Sequence, residues 1–442
     1  MLRDIQASDR EALLKVKVTE RSALVLVAAS TQQLTSHAGL VLVRELAGRL
    51  GVAGLLDRVT VKKRSRGYSP AQAILGLCET LIAGGECLDD VAVLRGDSAQ
   101  ELLRGHGLPE PTTLGRFLRR FSLGHIGQLN RVLDEVFARV HPLLDREAVT
   151  LDLDASYIEH HGPVGSRQGT RGTYTGKVAW HPLLCFVGET GEWLHAKLRH
   201  GHAAASTGAT RFLGECLRRL PPGVRLFLRA DEGFYGKDFL AECERRRITY
   251  TIGAQLNRAL RERIAAVADD DWQRASYRQG SEVTSFLWRP RTWKQARRFV
   301  VRRDPVEQGE QLALEEGEWH YWALVTNDEQ RSADELETWH RAKASVENRI
   351  KEAKLGFALD NLPSRLFHAN WAYLLCWLKL LALPASERNS YAKRLRFRFI
   401  AVAATVGRSG RRLKLRLSAS YPLLNDFVQA LQRVRALARA PA

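Results

Sequence analysis

Asp152 and Asp154 stand one residue apart in the stretch TLDLDASYIEHHG, residues 150–162. Their alternation with Leu151 and Leu153 predicts a strand with both carboxylates on one face. Two unpaired carboxylates so placed repel and resist burial, and a metal ion, a basic neighbour or plain water would each compensate them. A further acid, Asp231, closes the run GVRLFLRADEGF, which predicts a strand ending in a turn. Glu347 lies in WHRAKASVENRIKEAK, within a long helix predicted from about Ser332 to Lys354. At about 100° per residue, Trp339, Ala342, Val346, Ile350 and Ala353 form a core-facing stripe. His340, Lys343, Glu347, Lys351 and Lys354 fill an adjacent arc, while Glu352 falls on the opposite side of the stripe. Taken alone, that helix is explained by ordinary i,i+4 pairing of Glu347 with Lys343 and Lys351, worth a few tenths of a kcal/mol. The three acids together say more. One acid on a strand, one at the carboxyl end of a second and one on a helix flush with the core suit a pair of divalent metals. Magnesium takes oxygen ligands, few carboxylates and several waters. Two such ions clamp the attacking and leaving oxygens of a phosphodiester. Lys351 and Lys354, one and two turns beyond Glu347, are then placed to grip neighbouring phosphates.

The elements that must position these groups follow an α/β order. Residues 1–145 are predicted to be a mostly helical, DNA-binding region. In it PEPTTLGRFLRRF places Thr112 or Thr113 as a helix cap after Pro111. Arg116, Arg119 and Arg120 then project near one another, either as a helix-turn-helix-like DNA contact or as an ordinary solvated basic face. Residues 146–255 run strand, strand, strand, helix, strand, helix, strand, which predicts a central mixed sheet flanked by helices. Residues 256–330 break the rhythm as a β-rich insertion carrying Trp272, Trp288 and Trp293. Residues 331–385 hold the Glu347 helix and an apolar helix over 369–383. Residues 386–442 form a basic C-terminal region with a hairpin in LRFRFIAVAATVGRSGRRLKLRLS and a terminal helix.

Composition narrows the partners. The 442 residues carry 67 Lys and Arg against 49 Asp and Glu, a net charge of +18. Arginine makes up most of the excess and suits bidentate phosphate contacts, so nucleic acid is the expected partner before an anionic membrane. The six cysteines are scattered without a C-x-x-C pair, which fits reduced core residues of an intracellular protein rather than a zinc site or a disulfide framework. No signal-peptide pattern opens the chain, and no apolar run reaches the roughly 20 residues of a membrane span. A cytoplasmic, nucleoid-associated protein is expected. His160, His161, His195, His200 and His202 cluster in sequence, but no Cys/His spacing supports a zinc site, and solvated or DNA-facing positions are expected.

These blocks resemble the bacterial insertion-sequence transposases that carry an Asp-Asp-Glu triad on an RNase H-like fold. The similarity is greatest to the branch whose last motif reads Tyr-x2-Arg-x3-Glu-x6-Lys, met here as His340-x2-Lys343-x3-Glu347-x6-Lys354. LDLDAS is similar to the first-Asp strand, LRADEGFY to the second, and VENRIKEAKLGFALDNLPS to the Glu helix and its continuation; likeness runs from about residue 40 to 420. The resemblance implies Asp154, Asp231 and Glu347 as catalytic metal ligands. Asp154 is preferred to Asp152 because the family's first acid precedes a small residue and Ser or Thr, here Ala155 and Ser156. It also implies two Mg2+ ions, with Mn2+ as substitute. Lys354, Lys351, Lys343 and His340 would contact DNA; in some relatives an insertion tryptophan stacks on a flipped base, while Trp272, Trp288 and Trp293 each read on their own as core residues. The implied activity is cut-and-paste transposition: cleavage at terminal inverted repeats, then strand transfer into target DNA, by a homodimer. An RNase H-fold nuclease without strand transfer and a non-catalytic DNA-binding relative are the alternatives.

Overall fold

The computed structural model describes residues 14–16, 25–27, 32–61, 66–140, 147–173, 176–306, 319–375 and 392–439. Nine strands form one mixed sheet. Its heart is β1 (Ala148–Ala155), β2 (Leu183–Val187), β3 (Trp193–Lys197), β4 (Arg225–Ala230) and β5 (Thr249–Ala254). They lie side by side in the order β3–β2–β1–β4–β5. The first three are antiparallel, and β4 and β5 run parallel to β1. This is the RNase H-like order, as expected. Beyond β5 the sheet continues through β8 (Trp319–Thr326), β7 (Arg297–Pro305), β6 (Glu282–Trp288) and a two-residue strand, Gln273–Arg274.

Both faces of the central strands are covered, which is why β1 is buried from Val149 to Leu153 instead of alternating. On one face Val149, Leu151 and Leu153 pack with Phe212 and Leu213 of α5 (Ala209–Leu217) and Leu240 of α6 (Lys237–Arg245). Each such fully buried side chain contributes about 1.5–3 kcal/mol. On the other face, Leu184 and Phe186 of β2 join Val346, Ile350 and Ala353 in a second cluster. Leu184 and Phe186 lie directly opposite Asp154 and Asp152 in the ladder, so the aspartates share the face covered by the Glu347 helix.

Seven helices precede this sheet among the described residues, the longer ones being α1 (Leu40–Arg49), α2 (Pro70–Ala83), α3 (Pro111–Leu118) and α4 (Leu123–Val140). α2 opens on a complete capping box, with Ser69 accepting from Gln72 and Pro70 in the first turn. α3 departs from expectation: Glu110 is its N-cap and Pro111 its first residue, so Thr112 and Thr113 lie inside the first turn. Proline suits that place because its missing N–H would have had no intrahelical partner.

The long helix expected from Ser332 is broken in two. α7 (Ala333–Arg341) starts at a capping box of Ser332 and Glu335, a 3₁₀ turn spans Ala342–Ala344, and α8 (Ser345–Phe357) follows. A 3₁₀ turn has about 3.0 residues per turn against 3.6. The arc drawn through His340, Lys343, Glu347, Lys351 and Lys354 therefore does not survive as one surface. The apolar helix expected over 369–383 is seen as Phe367–Leu374, and residues 376–391 lie outside the described residues. The expected hairpin is formed by β9 (Ala404–Ser409) and β10 (Arg412–Leu417), joined on one side by the short strand Leu34–Thr35. α9 (Leu424–Ala436) closes the chain against α1. No helix among the described residues is long and apolar enough to cross a membrane.

Candidate active site

The two aspartates of β1 meet different fates. Asp152 is fully buried and lies in register with Arg229 of β4. Arg229 Nε donates to Oδ1 at 2.7 Å and Nη2 to Oδ2 at 2.9 Å. Its Nη1 donates to the Trp339 carbonyl at 2.8 Å, and Arg349 of α8 stands 3.9 Å from Asp152 Oδ2. Burial pushes the Asp152 carboxyl up, against the pull of Arg229. Both of its oxygens are committed to arginine. Asp152 is thus compensated by a basic neighbour, and its place is the inside of the sheet–helix layer.

Asp154, two residues on, keeps a partly open side chain. Its Oδ1 accepts from the Ala155 amide at 2.6 Å and its Oδ2 from Lys343 Nζ at 3.0 Å. Asp231 follows Ala230, which is in register with Leu153, so the two acids leave adjacent parallel strands at the same level. Asp231 caps a 3₁₀ turn, Glu232–Phe234, and its Oδ1 accepts from the Gly233 amide at 3.0 Å. Gly233 is needed there, since a Cβ would stand 2.7 Å from Ala205 Cβ and 3.0 Å from that same Oδ1. Burial pushes the Asp231 carboxyl up; the Lys343 ammonium pulls it down and the neighbouring Asp154 pushes it up further. One ammonium thus sits in the field of two carboxylates.

Glu347 is exposed on α8. Among the described residues no three His, Cys, Asp or Glu side chains come together as a metal-holding group. Asp154 and Asp231 are brought together and Glu347 is not among them. The pair itself fits magnesium: its donors are carboxylate oxygens only, a cation already occupies it in the form of Lys343, and magnesium binds through one or two carboxylates with waters completing the shell.

The predicted DNA-contacting residues also divide. His340 is half-buried, with Nδ1 2.8 Å from Thr251 Oγ1, and burial together with the Lys343 and Arg229 charges pushes its pKa down to about 3. The ring is neutral and held against Thr251. Lys354 donates to the Tyr157 carbonyl at 2.7 Å and stands 3.5 Å from Asp360. Lys351 is exposed. Arg116, Arg119 and Arg120 are exposed on α3 and the turn after it.

Trp272 and Trp293 are buried, with the Arg303 and Arg297 guanidiniums 4.2 and 4.8 Å from their rings, and Trp288 packs on Phe299 at 5.2 Å. Among the described residues of that part of the sheet, Trp322 is the exposed indole, 44% accessible, with Arg302 4.1 Å from its ring. His195 is neither solvated nor facing DNA but buried. Arg219, which can only donate, reaches its Nδ1 at 2.8 Å, so the proton sits on Nε2, 3.1 Å from Glu215 Oε2. His160 contacts Ser166 and His200 stacks on Phe367, so neither joins a metal group among the described residues. Sequence reasoning missed Arg229 and His181. Arg229 had a signal, since in LRADEG it alternates with Asp231 and so shares its strand face. His181 stacks on Tyr157 at 4.2 Å and feels the Asp154 charge; nothing in its local sequence marks it.

Comparison with known proteins bears on this geometry. A family model described as "Transposase DDE domain group 1" matches residues 17–439. No curated protein matches the chain. Among solved structures, a piggyBac transposase synaptic complex with hairpin DNA aligns over 83% of this chain and 84% of its own. The identity is 10% and the TM-score 0.39, a likeness too distant to carry weight.

Proposed function

The chain belongs to the transposase DDE domain group 1 family, and from that premise we propose that it performs magnesium-dependent cut-and-paste transposition of an insertion sequence, with Asp154, Asp231 and Glu347 as its acids. The observation that carries this reading is the pair of aspartates at the ends of adjacent parallel strands, facing one shared cation. Magnesium, or manganese in its place, would be held by that pair and would supply positive charge to the attacking and leaving oxygens of the phosphodiester. Glu347, exposed one turn beyond Lys343, joins the pair when DNA is bound.

The protein's own part is positional. Asp154 is held by the Ala155 amide and Asp231 by the Gly233 amide, so neither carboxylate has to search for its orientation. Arg229 and Arg349 neutralise Asp152 beneath them, which keeps a third negative charge from adding to the repulsion in the pocket. Lys343, once displaced from Asp154, is left beside the scissile phosphate as a counter-charge, and Lys351 adds an exposed one on α8.

Two phosphoryl transfers follow. In the first, a water oxygen bonds to phosphorus at the element end and the 3′-oxygen leaves with a proton as a hydroxyl. In the second, that hydroxyl attacks a target phosphodiester, giving up its proton as the target strand's own 3′-oxygen departs. The partners are double-stranded DNA ends, with terminal inverted repeats, and a target duplex; a homodimer holding two ends performs the reaction, in the cytoplasm on the nucleoid. The test is Asp231→Asn. Strand cleavage should be lost while end binding stays within a few-fold of wild type; cleavage that survives in magnesium would remove Asp231 from the site. Strand transfer with pre-cut ends separates a transposase from a simple nuclease.

A further inference from the structure

The β9–β10 ribbon has no part in the acid site, yet it concentrates charge. Between Glu387 and Asp426 the sequence carries ten Lys and Arg and no acid. Strand alternation sorts three of them, Arg412, Lys414 and Arg416, onto one face of β10. All three are exposed, and none enters an ion pair among the described residues, unlike Arg435 nearby, which stands 3.5 Å from Glu45. Opposite them across the ladder lie Ser409, Gly407 and Thr405, residues too small to cover the row. On the reverse face Leu415 and Leu417 pack toward Ala38, Val402 and Ala404.

The ribbon is also built to project. The strand Leu34–Thr35 pairs only with Thr405 and Ala404, and its last bond to β9 is the Val406 amide to the Gln33 carbonyl at 2.8 Å. Beyond Val406 two strands run alone to a two-residue loop, where Gly410 at φ +59° takes the left-handed first position that favours glycine. The loop adds Arg411, exposed like its neighbours. The base is anchored: Thr35 donates to Asp97 at 2.7 Å and accepts from Gln100 at 2.7 Å, and Gln100 accepts from Arg44.

We propose that the β9–β10 ribbon is a second DNA-binding surface, separate from the acid site, which grips the phosphate backbone of duplex DNA through Arg412, Lys414 and Arg416. A two-stranded ribbon is of a size that the major groove admits. Three like charges about 6.8 Å apart in a line repel one another and are relieved by a line of phosphates. The cationic face has no apolar side chain to insert into a bilayer, which favours DNA over an anionic membrane. The proposal rests on the chain acting on DNA and is independent of which acids do the chemistry.

The test is fluorescence anisotropy of the full chain on a labelled duplex of unrelated sequence, in EDTA, from about 0.05 to 0.2 M NaCl. The triple variant Arg412→Gln, Lys414→Gln, Arg416→Gln should bind about tenfold or more weakly, with the slope of log K against log[salt] shallower by about 2 to 3. Its melting temperature should match wild type, and Arg412→Lys with Arg416→Lys should keep the full slope, since charge and not a guanidinium fork is at work. An unchanged slope overturns the proposal. So does loss of binding to phosphatidylserine vesicles with DNA binding intact. Asp231→Asn run in parallel should keep the wild-type slope, so the outcome here and the outcome at the acid site are read separately.

Discussion

Lys343 is the residue on which the pocket turns. Its ammonium, 3.0 Å from Asp154, performs for two crowded carboxylates what a divalent ion would perform, so ion and lysine compete for one place. Replacing it by methionine leaves two like charges side by side without relief. In metal-free buffer Lys343→Met should melt a few degrees lower, the loss of a half-buried charged contact costing about 1–3 kcal/mol. It should also gain more from added magnesium than wild type does, because the competitor is gone; equal magnesium-induced shifts in calorimetry would contradict this. Asp152 obeys a different rule. Its arginine fork is dry, and removing one member of a buried pair costs about 3–5 kcal/mol, whereas replacing both by apolar groups can be neutral. Arg229→Met should lower the urea midpoint sharply, and adding Asp152→Leu should restore most of it. These two aspartates look alike in the sequence, and alternation correctly placed both on one strand face. What separates them is a register: Arg229 is 77 residues away, and only the pairing of β4 with β1 brings it opposite Asp152.

Elements show the same division between local and distant information. The first-Asp strand, the second-Asp strand and the basic hairpin were legible because each is a short alternating run closed by turn residues, and the α/β order followed from them. The break between α7 and α8 was not legible. Its residues, Ala342, Lys343 and Ala344, are good helix formers, and the 3.6-residue apolar period runs through them without interruption. The turn is held by contacts from outside: Lys343 reaches Asp154, Arg229 bonds to the Trp339 carbonyl before it, and Arg349 donates to the Val187 and Gly188 carbonyls after it. Those partners lie on three strands, none visible from the helix sequence. The outward position of Glu347 follows from this broken helix, and a straight one was the wrong frame for it.

At the scale of the whole molecule, one buried guanidinium joins the helical region to the sheet. Arg219 donates to Asn130 and Asp134 of α4 at 2.7 and 2.8 Å, and to the Leu194 carbonyl and His195 of the β3 strand at 2.8 Å each. Acid should loosen that joint. Burial lowers His195 to about 4, so the folded chain resists protonating it; stability is complete above about pH 6.5 and falls as the pH drops from there toward 4. Glu215, drawn down to about 2 by His195 and Lys197 against the opposing effect of burial, adds a further loss between about pH 4.5 and 2. The denaturation midpoint should therefore decline through both windows, and His195→Asn should flatten the upper one; a flat wild-type profile between pH 6.5 and 4 would refute the assignment.

The strands inserted between Asp231 and the Glu347 helix have a consequence of their own. An RNase H-like sheet that stopped at β5 would end in a flank of bare amides and carbonyls, ready to zip onto a neighbouring molecule. Here β8 is laid along that flank, from Thr326 against Thr251 to Ala323 against Ala254, and β7 and β6 carry the seal outward. The insertion thus moves the sheet's open edge from β5 out to the two-residue strand Gln273–Arg274, too short to template a long pairing.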